Sequence, residues 1–244
     1  MRTVHWIIIK AFSDLGLELH GIRQQRKSPR RDYGRKGVWA ADQATAFLKA
    51  VRDDRLYAAW ALAVVCGLRR GELAGLRWSD LDLDRGLLHV RWQRTVATGQ
   101  GDHGIVEKEP KGGRERRIGI GEAMVTILRE HGARQERERV LYELIYRDGD
   151  WVFCWEDGRP YRPQYFTARF GNLCRKAGVP EIVLHDARHT SATVGADSGV
   201  PQHAMRDRLG HADVRTTHEV YTHVLPEAQR KAAEAMERAI LTDS

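Results

Sequence analysis

Apolar positions recur at helical spacing from Asp42 to Val51, where Ala44, Phe47, Leu48 and Val51 share one face and predict an amphipathic helix. From Leu56 to Cys66 the chain is apolar nearly all round, which predicts a helix buried on every side and stopped by Gly67. A second helix begins shortly beyond that glycine. Leu87 to Trp92, Ile105 to Glu109 and Arg116 to Ile120 read as short strands, and the glycine-containing segments between them suggest a small antiparallel sheet. Gly121 to Tyr146 predicts a long, charged helix with one solvent face and a candidate break at Gly132. Trp151 to Cys154 predicts a strand followed by the turn Asp157-Gly158, and Pro163 to Ala177 a helix ended by Gly178. On that helix Phe166 and Phe170 stand four apart and are expected in the core. Two further helices are expected at Val4 to Leu17 and, after the break at Pro226, at Glu227 to Leu241. The expected class is mainly α with a small antiparallel β-sheet.

Composition narrows the classes of function. A chain of 244 residues, 42% of them hydrophobic, can form one large domain or a domain plus a fragment, and this composition speaks against wholesale disorder. Three cysteines, Cys66, Cys154 and Cys174, show no close pairing and speak against a disulfide framework. Trp6-Ile7-Ile8-Ile9 is interrupted by Lys10 and Asp14 too soon for a signal core or a membrane span, so a cytoplasmic location is expected. The net charge of +7 favours a polyanionic partner. Much of that charge is concentrated in one stretch carrying Arg23, Arg26, Lys27, Arg30, Arg31, Arg35 and Lys36, broken by Pro29 and Gly34. It reads as a linker, either a solvated connection or a strap along a phosphate backbone.

Candidate chemistry is concentrated in the last third. His185-Asp186-Ala187-Arg188-His189 is followed by Leu209-Gly210-His211 and by a segment containing Tyr221. Arg188 offers a planar fork that binds two phosphate oxygens together. Tyr221 offers a phenolic oxygen able to attack phosphorus. His185 and His189 stand four apart and could equally hold a metal, but the zinc-protease pattern needs glutamate directly after the first histidine, where Asp186 stands. His189, His203, His218 and His223 are expected to brace helices. Upstream, Cys66-Gly67-Leu68-Arg69-Arg70-Gly71-Glu72-Leu73 places Arg69 at a junction between helices, with Glu72 one turn later.

These two stretches resemble the first and second active-site boxes of the tyrosine recombinase (phage integrase) family, in the expected order and over roughly Val38 to the C-terminus. The resemblance implies a recombinase catalytic domain at 37–244. Residues 1–36 are then expected to be a remnant helix and the basic linker of a mostly absent core-binding domain. It implies cleavage and rejoining of double-stranded DNA through a 3′-phosphotyrosine on Tyr221, with no metal and no cofactor. Arg69, Arg188 and His211 would hold the non-bridging phosphate oxygens, His185 would assist proton transfer at Tyr221, and Glu72 would brace the site. Lys111, in Pro110-Lys111-Gly112-Gly113-Arg114, matches the lysine that a hairpin delivers in the family; Lys108 is its rival. Self-association on DNA is implied, as a tetrameric synapse in a complete recombinase, together with residence at the nucleoid. Ala187 departs from the leucine usual in the second box. The rival readings are a degenerate integrase that binds without cutting, a type IB topoisomerase-like nicking enzyme and a metal-dependent nuclease.

Overall fold

The stretch that is apolar on all sides forms the central helix of the protein. The computed structural model describes residues 37–96, 104–110 and 115–210, which lie within one compact unit, Lys36–Ser244. Among the described residues the helices are α1 (Ala41–Ala50), α2 (Tyr57–Val65), α3 (Arg70–Gly75), α4 (Glu122–Leu141), α5 (Pro163–Ala177), α6 (Leu184–Asp197) and α7 (Gln202–Leu209). The strands are β1 (Leu81–Asp82), β2 (Leu87–Val90), β3 (Gln93–Val96), β4 (Ile105–Lys108) and β5 (Arg116–Gly119). The expected mixed, helix-rich class is what the chain adopts. The helices expected at 4–17 and 227–241, and the basic linker, fall outside the described residues.

In α2 every residue from Ala58 to Val64 is buried, as an all-apolar helix requires. Its entry is fixed by Asp54, whose Oδ1 accepts hydrogen bonds from the Leu56 backbone N–H at 2.9 Å and from Trp60 Nε1 at 3.0 Å. Arg169 closes on the same carboxylate at 2.5 Å and ties α5 to this corner. Around α2 lies an aromatic cluster. Phe47 and Phe170 have ring centroids 5.1 Å apart, Trp39 and Phe47 4.9 Å, and Trp60 and Phe170 5.9 Å, spacings at which aromatic pairs attract beyond their buried area. Phe166 and Phe170 are both in the core, as their spacing predicts.

The strands depart from the expected single sheet. β2 lies between β1 and β5 in a three-stranded antiparallel sheet, with Leu88 opposite Ile118, while β3 and β4 form a separate antiparallel pair. The stretch read as one strand from Leu87 to Trp92 ends at Val90, and β3 starts afresh at Gln93. The segment carrying Lys111 therefore joins strands of two different sheets, and β4 and β5 are not partners. Residues 151–154 contribute only isolated bridges, Arg77 to Trp151 and Cys154 to Pro160.

Helix α4 runs without interruption through Gly132. That glycine serves close packing: a Cβ there would sit 3.1 Å from Cη2 of Trp78. The indole of Trp78 in turn donates to Gln135 Oε1 at 2.7 Å, a polar contact inside the helix–loop seam. Helix α6 packs against α2, α7 packs on α6 and β5, and both α5 and α7 end in left-handed glycines, Gly178 and Gly210. No helix among the described residues is long and apolar enough to cross a membrane.

Candidate active site

The two sequence boxes meet at the C-terminal end of α2. Past Cys66 the chain turns through Gly67, at φ 66°, and delivers Arg69 to the start of α3. A side chain at Gly67 would be strained by that φ and would collide with Leu209 Cδ2, so glycine is required twice over. The carbonyl exposed at this turn accepts Arg188 Nη1 at 2.8 Å, joining residues 121 positions apart. The other terminal nitrogen of Arg188 donates to the carbonyl of Leu209.

Arg69 and Arg116 close the same structure from other sides. Arg69 Nη1 donates to Glu72 Oε1 at 2.8 Å and its Nη2 to the Gly210 carbonyl at 3.2 Å. Glu72 reaches back to the Arg69 backbone N–H with Oε2 at 2.9 Å, satisfying one of the orphan donors of α3. Arg116, on β5, grips both carboxylate oxygens of Glu72, at 2.9 and 2.7 Å, and donates through Nε to the Arg208 carbonyl at 2.9 Å. Thus three guanidiniums take the carbonyls of Arg208, Leu209 and Gly210 in succession. These lie at the C-terminus of α7, where carbonyls lack helical partners and the helix dipole is negative. The chain leaves this cap directly into His211 in sequence.

The electrostatics follow from burial. Glu72 is only 1% exposed, and burial alone would raise its pKa; the bonds and charge of Arg116, with the charge of Arg69, outweigh this and lower it to about 2. Arg188 is pushed down to about 9, first by burial and then by the neighbouring charge of Arg69. Arg69, Arg116 and Arg188 gather around Glu72, and the charges of Arg69 and Arg116 both press on the Arg188 guanidinium. An anion brought against Arg69 and Arg188 would relieve that repulsion.

The other expected residues divide into two groups. His185 lies exposed in the first turn of α6, one turn ahead of Arg188, with its ring edge-on to His189 at a centroid distance of 5.5 Å. Lys108 is exposed at the end of β4, opposite Gln93. Lys111, His211, Tyr221 and the linker residues from Arg23 to Lys36 lie outside the described residues. Among the described residues no group of three His, Cys, Asp or Glu side chains could hold a metal ion. Arg116 was missed by the sequence reading. A signal existed: in β5, Arg116 and Ile118 occupy the inward phase, and a buried arginine demands a buried carboxylate, which Glu72 supplies beside Leu73 and Ala74.

Comparison with known sequences decides the family. The sequence model of the phage integrase family matches residues 38–228. The chain belongs to the phage integrase family. A tyrosine recombinase XerC-like protein of Caldanaerobacter subterraneus subsp. tengcongensis is 32% identical over 197 residues, covering 77% of this chain and 50% of that relative. The ICEBs1 integrase of Bacillus subtilis is 26% identical over 203 residues, covering 82% of this chain and 54% of the relative. The chain thus spans about half the length of these curated relatives. Among solved structures, the XerA recombinase superposes with a TM-score of 0.59 at 26% identity, over 82% of this chain and 65% of that one. The Tn1549 transposon integrase in complex with transposon right-end DNA shares the fold, with a TM-score of 0.68 at 23% identity over 82% of this chain and 66% of that one. Both boxes of this integrase-family chain therefore sit where its two glycine turns and three arginines converge.

Proposed function

We propose that this chain is the strand-breaking and rejoining domain of a site-specific DNA recombinase or integrase, working through a covalent 3′-phosphotyrosine on Tyr221. The observation that carries this reading is the convergence of Arg69 and Arg188, one from each sequence box, on one buried junction. Attack on a phosphodiester concentrates negative charge on the non-bridging oxygens. Preorganised guanidiniums, already desolvated, stabilise that charge without reorganising, to the extent of several kcal/mol. Arg69, Arg188 and His211 hold those oxygens. The Tyr221 phenol attacks phosphorus as His185 takes its proton, the P–O5′ bond breaks, and Lys111 protonates the departing 5′ oxygen. Rejoining reverses these steps on a new 5′ hydroxyl. The phosphodiester energy is conserved in the tyrosyl ester, so neither ATP nor a metal ion is needed.

Double-stranded DNA is the partner, and the Arg23–Lys36 stretch lies along its backbone. Binding then weakens with salt, with a log–log slope of about 0.9 per phosphate neutralised. Copies of the chain assemble on paired DNA sites, as a tetrameric synapse in a complete recombinase, at the nucleoid. The test is incubation with a nicked suicide duplex in the presence of a chelator. A covalent protein–DNA adduct that survives chelation and disappears in Tyr221→Phe, with binding kept, supports the reading. Adducts that persist in Tyr221→Phe, or activity lost to the chelator and restored by zinc or magnesium, would refute it.

A further inference from the structure

Arg116 lies on a different element from either box, yet all three of its side-chain nitrogens are bonded within the junction. Its two terminal nitrogens hold the Glu72 carboxylate in a bidentate fork at 2.9 and 2.7 Å, and its Nε holds the Arg208 carbonyl at 2.9 Å. In exchange, Arg208 donates to the Gly119 carbonyl of β5 at 2.7 Å, so β5 and α7 clasp each other reciprocally. Gly210 makes room for the clasp: a Cβ there would stand 2.8 Å from Arg116 Cδ. Arg69 shares Glu72 Oε1 with Arg116, and a carboxylate gripped on both oxygens cannot rotate.

We propose that Arg116 is a positioning residue for the reaction: it holds Glu72 ionised and immobile, and through Glu72 fixes the direction in which Arg69 presents its guanidinium to phosphate. The inference rests on the reading that Arg69 acts on phosphate. Arg116 itself faces a carboxylate and a carbonyl, and touches no reacting atom. The charged groups gathered at Glu72 among the described residues are Arg69 from the α2–α3 junction, Arg116 from β5 and Arg188 from α6. With Arg116 neutralised, the buried Glu72 loses its largest stabilising partner. Its proton affinity rises, and a protonated Glu72 releases Arg69.

The experiment uses the intact chain with a nicked suicide duplex recovered by covalent capture from a randomised pool. Single-turnover adduct formation and duplex binding are measured from pH 5.5 to 8.5 for the wild type, R116K and R116Q. R116Q is expected to form adduct about 100-fold more slowly, the scale of a misplaced catalytic group, with duplex affinity kept. Its deficit should deepen as pH falls, lose that pH dependence when Glu72→Gln is added, and be partly recovered in R116K. A wild-type rate and pH profile in R116Q would overturn the proposal. So would parallel loss of folding and binding in both R116Q and R116K, which would make Arg116 structural only. A second readout is independent of cleavage: the ¹³C carboxyl shift of Glu72, assigned with Glu72→Gln, should be flat from pH 4 to 8 in the wild type and titrate in R116Q or R116K. A Glu72 shift unchanged by either substitution would overturn the proposal. Absence of any wild-type adduct, with Glu72 titrating as expected, would count against the proposed function and leave the Arg116–Glu72 coupling standing.

Discussion

Two buried regions, both packed against α2, are held together in opposite ways. On one side Trp39, Phe47, Trp60, Phe166 and Phe170 interlock as aromatic rings with no charge among them. On the other, Gly67, Glu72, Arg116 and Arg188, drawn from segments far apart in sequence, bury charged and backbone polar groups against one another. The aromatic side is stabilised by removed area, which is non-directional and forgiving of shape. The polar side has no comparable area and depends on each fork meeting its acceptor, because an unmatched buried charge costs far more than a lost contact. The first region tolerates a change of shape better than the second tolerates the loss of a partner.

Mutations at each region should therefore fail differently. Phe170→Ala removes a fully buried ring that touches three other aromatic side chains, and should lower the unfolding free energy by about 3–5 kcal/mol in urea titrations, the largest effect on folding expected here. The polar side should show itself in acid. Glu72 has its carboxylate pKa lowered from 4.5 to about 2, so it contributes stability above about pH 4.5 that is lost as pH falls through that interval. The contribution is on the order of 3 kcal/mol. Thermal unfolding from pH 6 to 2.5 should show that loss in the wild type and not in Glu72→Gln, which is destabilised throughout. Equal acid sensitivity in the two proteins would place the titrating group elsewhere.

Gly67→Ala sharpens the contrast further. A left-handed backbone at φ 66° costs a non-glycine residue about 1–3 kcal/mol, and the methyl pushes on Leu209, whose carbonyl Arg188 holds. Cleavage should fall more than stability does, which adduct assays and urea titrations run side by side would reveal. At the small end stands Arg52–Glu130, an exposed pair at 3.1 Å. Arg52→Ala should change stability by less than about 1 kcal/mol and leave cleavage untouched, because solvent screens such pairs.

The aromatic side was legible in the sequence because apolar periodicity encodes it directly: Phe47, Phe166 and Phe170 each fall on a predicted inner face. The helices of the boxes, the stop at Gly67 and the cap at Gly178 were legible for the same reason, since propensity and turn chemistry are local. Two things were not. The strands from Leu87 to Val96 split between two sheets, and a chain that changes partner at Arg91 and Trp92 leaves no local mark of it. Likewise the Gly132 break expected from helix propensity is overridden by the close approach of Trp78. In the site, Arg69, Glu72 and Arg188 were readable from motif spacing. For Arg116 only the inward phase of β5 was a signal, because its partners Glu72 and Arg208 meet it only once β5 is laid against α3 and α7.

If the polar junction presents two guanidiniums to a phosphate, as proposed, a substitution at Arg188 should expose it. Each of its terminal nitrogens gives one N–H to a carbonyl, one from each box, a bridging geometry that a lysine ammonium cannot reproduce. The measurement is single-turnover adduct formation on the suicide duplex by Arg188→Lys, beside its affinity for the same DNA. Binding should be retained while adduct formation slows by about 10²–10³-fold, the range for losing one preorganised donor. Adduct formation at the wild-type rate in Arg188→Lys would contradict the proposal.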